Sequence, residues 1–338
     1  MAVPKISVVI PTLNRADVLA QTIERIESQT IPSDSYEVIV VDNASTDATR
    51  NVLEAKRQKH PNLNFIFQSK PGVAGARNAG VRKASGEIVL FIDDDIFAET
   101  DLVERHLELH SQYRNSSAIG AVLTPWDDCV DPFLRYLQHK RIYNPYGVGS
   151  GPIDFSHYHT GNVSTPRSML VEAGGFNEEF YVYGMEDIEL GYRLEKLGCR
   201  MINGKQARAV HYYFPTYDEF VLRCKQAGYS LGKLIELHPE LERRFVENGK
   251  WTKFLKPFHQ LYSVSSYGIE SASRWLAKRE AQQGTGPISR SLELHYYWSI
   301  RYHFFLGYKR YRSSLGDGTN LRDEIWSPGR RVPDLSRF

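Results

Sequence analysis

Cysteine is scarce in this chain. Three of its 338 residues are cysteine, Cys129, Cys199 and Cys224, far apart and without a C-x-x-C pair. That argues against a disulfide framework, a zinc ribbon or a thiol redox motif, and fits a reducing compartment. Long apolar runs are also lacking, since none approaches the roughly 18 residues of a membrane span. No charged-then-apolar leader stands before the first strand. Charge of one sign is missing too: 42 Lys and Arg face 40 Asp and Glu, for a formal net charge of +2. Neither nucleic acid nor a strongly acidic substrate is indicated. The expected location is the cytoplasm, with peripheral contact at the cytoplasmic membrane face left open.

What is present is the composition of an ordinary globular protein, 41% hydrophobic and 24% charged. At this length a sizeable core is affordable and two domains are the starting expectation. The first half alternates strand and helix signals. Ile6 to Ile10 reads as a buried strand stopped by Pro11, and a helical period follows from Asp17 to Gln29. Val38–Val41, Leu63–Phe67 and Ile88–Ile92 read as further strands. Helices fall between them: one through Val52 and Leu53, which Asp47 can cap, and one from Val73 to Ala84. Such alternation predicts an α/β, Rossmann-like fold, a mostly parallel sheet sandwiched by helices with ligands at the carboxyl ends of the strands.

The middle is less regular. Pro125 to Asp131 is an acidic loop, and Tyr146 to Pro152 is rich in glycine. His157–Ser164 reads as a strand, Glu186–Leu197 as a helix, and Arg200–Ile202 and Ala207–His211 as two short strands. Beyond Phe214 the strand signals vanish. Tyr217–Leu237 and Ile288–Arg312 read as helices, broken at Gln283 to Pro287. From residue 251 onward, 14 Lys and Arg stand against 7 Asp and Glu, with 16 aromatics. This helical end could rest on a membrane interface, pack as core or meet another subunit.

Several segments carry candidate chemistry. Asp93-Asp94-Asp95 follows an apolar strand, and carboxylates so close repel unless a cation joins them. A hard Mg2+ or Mn2+ with a diphosphate co-ligand suits that pattern, as does a solvated acidic turn. Asp42 to Asp47 suits a base contact or an ordinary turn. Gly72 to Asn78 lets a backbone approach an anion, with Arg77 as a phosphate donor. Glu186 and Asp187 open a helix, so either can serve as a base or simply favour the helix dipole. His211 can join oxygen ligands on a metal or remain structural, and the same holds for His157 and His159.

Taken in order, these segments resemble the family 2 glycosyltransferases of the GT-A fold. The resemblance rests on Pro11-Thr12-Leu13-Asn14-Arg15, Asp42 to Asp47, Gly75-Ala76-Arg77-Asn78-Ala79-Gly80, Asp93-Asp94-Asp95, and Gly174-Gly175-Phe176 followed by Glu186-Asp187. It covers residues 4 to 212. It implies an inverting, non-processive transferase of hexosyltransferase type, using a nucleotide sugar, usually a UDP-sugar. Pro11, Thr12, Asp42 and Ser45 would hold the nucleoside. Asn14, Arg15, Gly75 and Asn78 would complete the nucleotide site, with Arg77 near the ribose or diphosphate. Asp94 would face the donor. Asp95 would be the direct ligand of Mn2+ or Mg2+ in a DXD-type motif, with His211 and, more weakly, Asp93. Asp187 would be the catalytic base, supported by Glu186. The acceptor is a hydroxyl on a carbohydrate, a lipid-linked molecule or another compound. Residues 1–213 would form the catalytic domain, with a nucleotide-sugar half to about 96 and an acceptor half after it. Residues 214–338 would form the helical, aromatic and basic remainder. Processive members carry Gln-x-x-Arg-Trp, whereas Ser271-Ala272-Ser273-Arg274-Trp275 here has Ser in place of Gln. A sugar-nucleotide nucleotidyltransferase remains a rival, although Pro11 to Arg15 lacks the glycine-rich loop it would need. So does a non-catalytic nucleotide-sugar-binding module.

Overall fold

A computed structural model of the chain describes residues 3–126, 129–140, 153–247, 270–282 and 284–317. Asp127-Asp128, the glycine-rich Tyr146 to Pro152 and Gln283 lie outside them.

The apolar runs become the centre of an eight-stranded sheet, ordered β3-β2-β1-β4-β7-β6-β8-β5. The strands are β1 Ile6–Thr12, β2 Tyr36–Asp42, β3 Leu63–Phe67, β4 Ile88–Ile92, β5 Ile96–Ala98, β6 Ser116–Leu123, β7 Asn162–Pro166 and β8 Arg200–His211. Between β3 and β4 every pairing is parallel. Helices α1 Ala16–Glu27, α2 Thr49–Lys59 and α3 Val73–Lys83 make the crossovers. Alternate side chains of each strand enter opposite cores. Val9, Ile39, Val41 and Phe91 lie on one face, and Val8, Ile10, Val38, Val40 and Leu90 on the other. β1 runs through Pro11 to Thr12 because its pairing with β4 ends at Val9↔Phe91, so the ladder there does not call on the missing N–H.

The second half of the sheet is mixed. β7 lies antiparallel between β4 and β6, and β6 runs parallel to β8. The two short strands expected at 200–202 and 207–211 are one strand, β8, with a register shift opposite Gly120/Ala121. Asn162 braces this irregularity, donating to the carbonyls of Ala121 and Ala207 at 3.1 and 3.0 Å. The strand expected from 157 to 164 starts later, at Asn162, because Phe155–His157 forms a 3-10 turn capped by Asp154.

The remaining helices are α4 Leu102–Gln112, α5 Pro132–His139, α6 Arg167–Glu172, α7 Glu186–Lys196, α8 Tyr217–Leu237, α9 at 270–281 and α10 Arg290–Asp317. Leu231, Leu234 and Ile235 of α8 share a core with the sheet. Phe133 and Tyr136 of α5 pack with Phe220, Leu292 and Tyr296. The helices α8 and α10 cross at glycines: a Cβ on Gly228 would strike the carbonyl of Phe304, and one on Gly307 that of Lys225. Trp126, read from sequence as part of a loop, is buried, with its indole N–H on the Tyr213 carbonyl at 3.0 Å. No helix among the described residues is long and apolar enough to cross a membrane.

Candidate active site

The carboxyl ends of β1, β2 and β4 meet at one edge of the sheet, where the strand order turns from β1 to β4. Three segments converge there. Thr12 Oγ1 donates to Asp94 Oδ2 at 2.8 Å. Arg15 Nη1 reaches Asp94 Oδ1 at 2.6 Å and Asp95 Oδ2 at 2.9 Å. All four of these side chains are buried, Asp95 completely. Adjacent carboxylates in such a place need a cation, and the guanidinium between them provides one.

Asp95 also faces His211. Ile96 of β5 pairs with His211 of β8, and the Tyr212 amide donates to the Asp95 carbonyl at 2.7 Å. Asp95 Oδ2 and His211 Nε2 are consequently 3.3 Å apart. Two ligands about 2.1 Å from a single hard ion are separated by roughly this distance. Among the described residues no three candidate ligands gather. Two protein ligands completed by substrate phosphates is nevertheless a usual arrangement for such ions. Asp95 and His211 are thus spaced as two ligands of one divalent ion would be. Asp93, also expected at the metal, turns away: its Oδ1 accepts from Arg77 Nη2 at 3.0 Å. The triplet is split because Asp93 and Asp95 face different neighbours.

The loops after β1 and β2 are tied to each other. Asp42 Oδ1 accepts from the Ser45 amide at 2.9 Å, Ser45 Oγ from the Asn14 amide at 2.9 Å, and Asn14 Oδ1 from the Thr46 amide at 2.7 Å. Asn14 holds a φ of 53° and Ala44 one of 66°, so both bends are left-handed. Ser45 and Asn14 therefore fix the two loops against each other at the strand ends. Asp47 does not sit at the N-cap expected from sequence. It stands one residue earlier, accepting from the amides of Thr49 and Ala16 at 3.0 and 3.1 Å.

On α3 the expected ligand contacts turn inward. Asn78 Nδ2 donates to the Phe176 carbonyl and to Glu178, both at 2.9 Å, and its Oδ1 accepts from the Phe176 amide at 2.8 Å. A Cβ on Gly75 would press on Gln68 and Glu178. Both residues dock the 174–178 loop onto α3, which brings the start of α7 to the site. Arg77 is buried between Asp93 and Glu186, with Nη1 at 2.9 Å from Glu186 Oε1.

Glu186 and Asp187 open α7 after two left-handed residues, Gly184 at φ 96° and Met185 at φ 72°. Their environments differ. Glu186 is buried and its Oε2 has no hydrogen-bond partner among the described residues. Burial and the neighbouring Asp187 charge push its carboxyl above the usual range, despite Arg77. Burial pushes Asp187 up as well, but the His159 hydrogen bond and charge, Arg77 and the Ile188 amide outweigh it and hold it below its ordinary value. His159 Nδ1 lies 3.4 Å from Asp187 Oδ2. Partial burial pulls this imidazole down, while its bond to Asp187 and the two carboxylate charges more than offset that and raise it. From sequence His159 was indistinguishable from a structural histidine; it stands 28 residues from its partner. Asn43 was likewise missed. Its Oδ1 accepts from the Gly72 amide at 2.9 Å and so fixes the start of α3.

Residues 7–173 match the model of glycosyl transferase family 2. Residues 150–219 match that of the N-terminal domain of galactosyltransferase. The chain is similar to validoxylamine A glucosyltransferase of Streptomyces hygroscopicus subsp. jinggangensis, 32% identical over 61% of this chain and 54% of that protein. It is 29% identical to chondroitin synthase of Escherichia coli, over 61% of this chain and 34% of that one. It thus spans about half the length, or less, of these two curated relatives. Mannosyltransferase PcManGT from Pyrobaculum calidifontis, solved with GDP-Man and Mn2+, superposes with a TM-score of 0.58 at 19% identity, covering 91% of this chain and 87% of that one. S. aureus TarS 1-349 in complex with UDP gives 0.51 at 16% identity, covering 94% and 93%. At these identities the likeness establishes the fold, GT-A.

Proposed function

The chain belongs to glycosyl transferase family 2, and we propose that it moves a single sugar from a nucleotide-sugar donor to an acceptor hydroxyl, inverting the anomeric centre. The observation that carries this reading is Arg77, which bonds Asp93 on one side and Glu186 on the other. One guanidinium thereby joins the donor-side acids at the end of β4 to the acceptor-side acids at the start of α7. A nucleotide sugar lying across the strand ends would have its anomeric carbon between the two groups. A UDP-sugar is the first candidate, in keeping with the UDP complex of TarS. Asp95, His159, Asp187 and His211, which this reaction uses, all lie within the proposed catalytic domain, 1–213.

The acceptor hydroxyl attacks the anomeric carbon from the side opposite the diphosphate. Its proton passes to Asp187, the bond to the diphosphate oxygen breaks, and the electron pair leaves with the diphosphate. His159 keeps Asp187 oriented and ionised. Asp95 and His211 would hold Mn2+ or Mg2+, which when bound neutralises charge on the departing diphosphate. Transfer of one sugar at a time is favoured by the region of Ser271 to Trp275. There Arg274 is paired with Asp218 at 2.7 Å and Trp275 is 63% exposed on α9.

Glu186 is a second candidate for the base, favoured by its buried, unpartnered Oε2 and its raised pKa. Incubation of the full chain with UDP-sugars and Mn2+ tests the reaction class. Slow UDP release is expected. Pyrophosphate exchange would indicate a nucleotidyltransferase instead, and binding without turnover a binding module; either overturns the proposal.

A further inference from the structure

Arg223 of α8 lies beyond the residues matched by either family model. Its guanidinium sits 4.3 Å from the ring centre of Tyr213 and 5.0 Å from that of Tyr183. Each tyrosine leads to one side of the site. Tyr213 stacks on His211, with ring centres 5.2 Å apart, and His211 faces Asp95. Tyr183 stands three residues before Glu186 on the loop that opens α7, and is 44% exposed. Arg223 therefore sits where the metal-side histidine and the acceptor-side loop come together.

Among the described residues no carboxylate lies within ion-pair distance of the Arg223 guanidinium, and its side-chain N–H groups make no hydrogen bond to any of them. The other arginines named at this site, Arg15 and Arg77, each hold two carboxylates. A guanidinium held against aromatic faces keeps its N–H donors in its own plane, directed outward and suited to bidentate contact with a phosphate. Two rings thus hold a half-buried cation in place, and its donors remain for an anion.

We infer that Arg223 binds the diphosphate of the nucleotide-sugar donor and receives the charge that develops on it as the sugar leaves. This rests on the transferase reading above. When the anomeric carbon–oxygen bond breaks, its electron pair stays on the terminal diphosphate oxygen. Arg223 stabilises that oxygen through N–H donors and gives up no proton, while the acceptor's proton goes to Asp187. The helical C-terminal region then contributes directly to donor binding.

The test is calorimetric titration of the full chain with UDP and GDP, and with uridine and guanosine as ligands lacking the diphosphate, all with Mn2+ present. Wild type should prefer one diphosphate over its nucleoside. Arg223→Gln should lose about tenfold in affinity for that diphosphate and keep its affinity for the nucleoside, since charged hydrogen bonds to phosphate are strong. Arg223→Lys keeps the charge without the fork and should show a smaller loss. It also decides the matter should the glutamine variant fail to fold, an undiminished diphosphate affinity then overturning the inference. If wild type binds neither diphosphate, this inference and the transferase reading fall together. If wild type and Arg223→Gln bind the diphosphate equally, the inference alone falls. If only the acceptor KM rises, the cation serves the acceptor and the inference is again overturned.

Discussion

The proposed donor end and the proposed acceptor end of this site hold their carboxylates in different ways. At the donor end Asp94 and Asp95 both bond one buried cation, Arg15, at 2.6 and 2.9 Å. At the acceptor end the neighbours Glu186 and Asp187 have separate partners, Arg77 and His159, and their affinities for a proton are driven in opposite directions. The first arrangement keeps two charges in place for binding. The second makes adjacent carboxylates unequal, which is the condition for one of them to take a proton during a reaction while the other does something else.

The largest expected break in this comparison comes from Asp187→Asn. Turnover should fall about 1,000-fold, while UDP affinity measured by titration stays close to wild type. Near-normal turnover would remove Asp187 from the base role and leave Glu186. The donor end should respond in stability. Arg15→Gln leaves two buried carboxylates without their shared cation, at a cost of about 3 kcal/mol or more. Differential scanning calorimetry should show a melting midpoint several degrees lower, partly restored by Mn2+. An unchanged midpoint would mean that these carboxylates do not depend on Arg15.

The smallest effect sharpens the acceptor end. A base works unprotonated, so activity is lost as pH falls through its pKa. With Asp187 as base, the acid limb of kcat should lie below the ordinary value of 3.8. With Glu186 as base it should lie above 4.5. His159→Asn removes a hydrogen bond and a positive charge from Asp187, so the limb should move to higher pH, with little change in kcat at pH 7. A limb that does not move would separate His159 from the base.

Much of the sheet is legible in the sequence. The bounds of β3 and β4 were read directly from Leu63–Phe67 and Ile88–Ile92, because short apolar runs between turn residues have few other places to go. β8 was not legible as one strand, since Gly204 to Gln206 breaks its pattern and the partner that spans the break, β6, pairs with it from 84 to 87 residues earlier in the chain. Gly75 and Asn78 have the right residue types for a ligand contact, but the sequence did not show that Asn78 also holds the 174–178 loop or that a side chain at Gly75 would press on Glu178 of that loop. Residue type reports what a side chain can bind, and only packing decides what it meets.

By itself, the sequence determined the α/β alternation, the carboxylates at the strand ends and the ordered set of segments that marks the family. Tertiary structure decided the partners. Arg15 is 79 residues from Asp94, Arg77 is 109 from Glu186, and Arg223 on α8 reaches Tyr183 on the loop before α7. Periodicity arises from neighbours along the chain, so it survives in the sequence as pattern. Ion pairs and hydrogen bonds act over a few ångströms and depend on direction, so their pairing exists only once the sheet and its loops have closed around them.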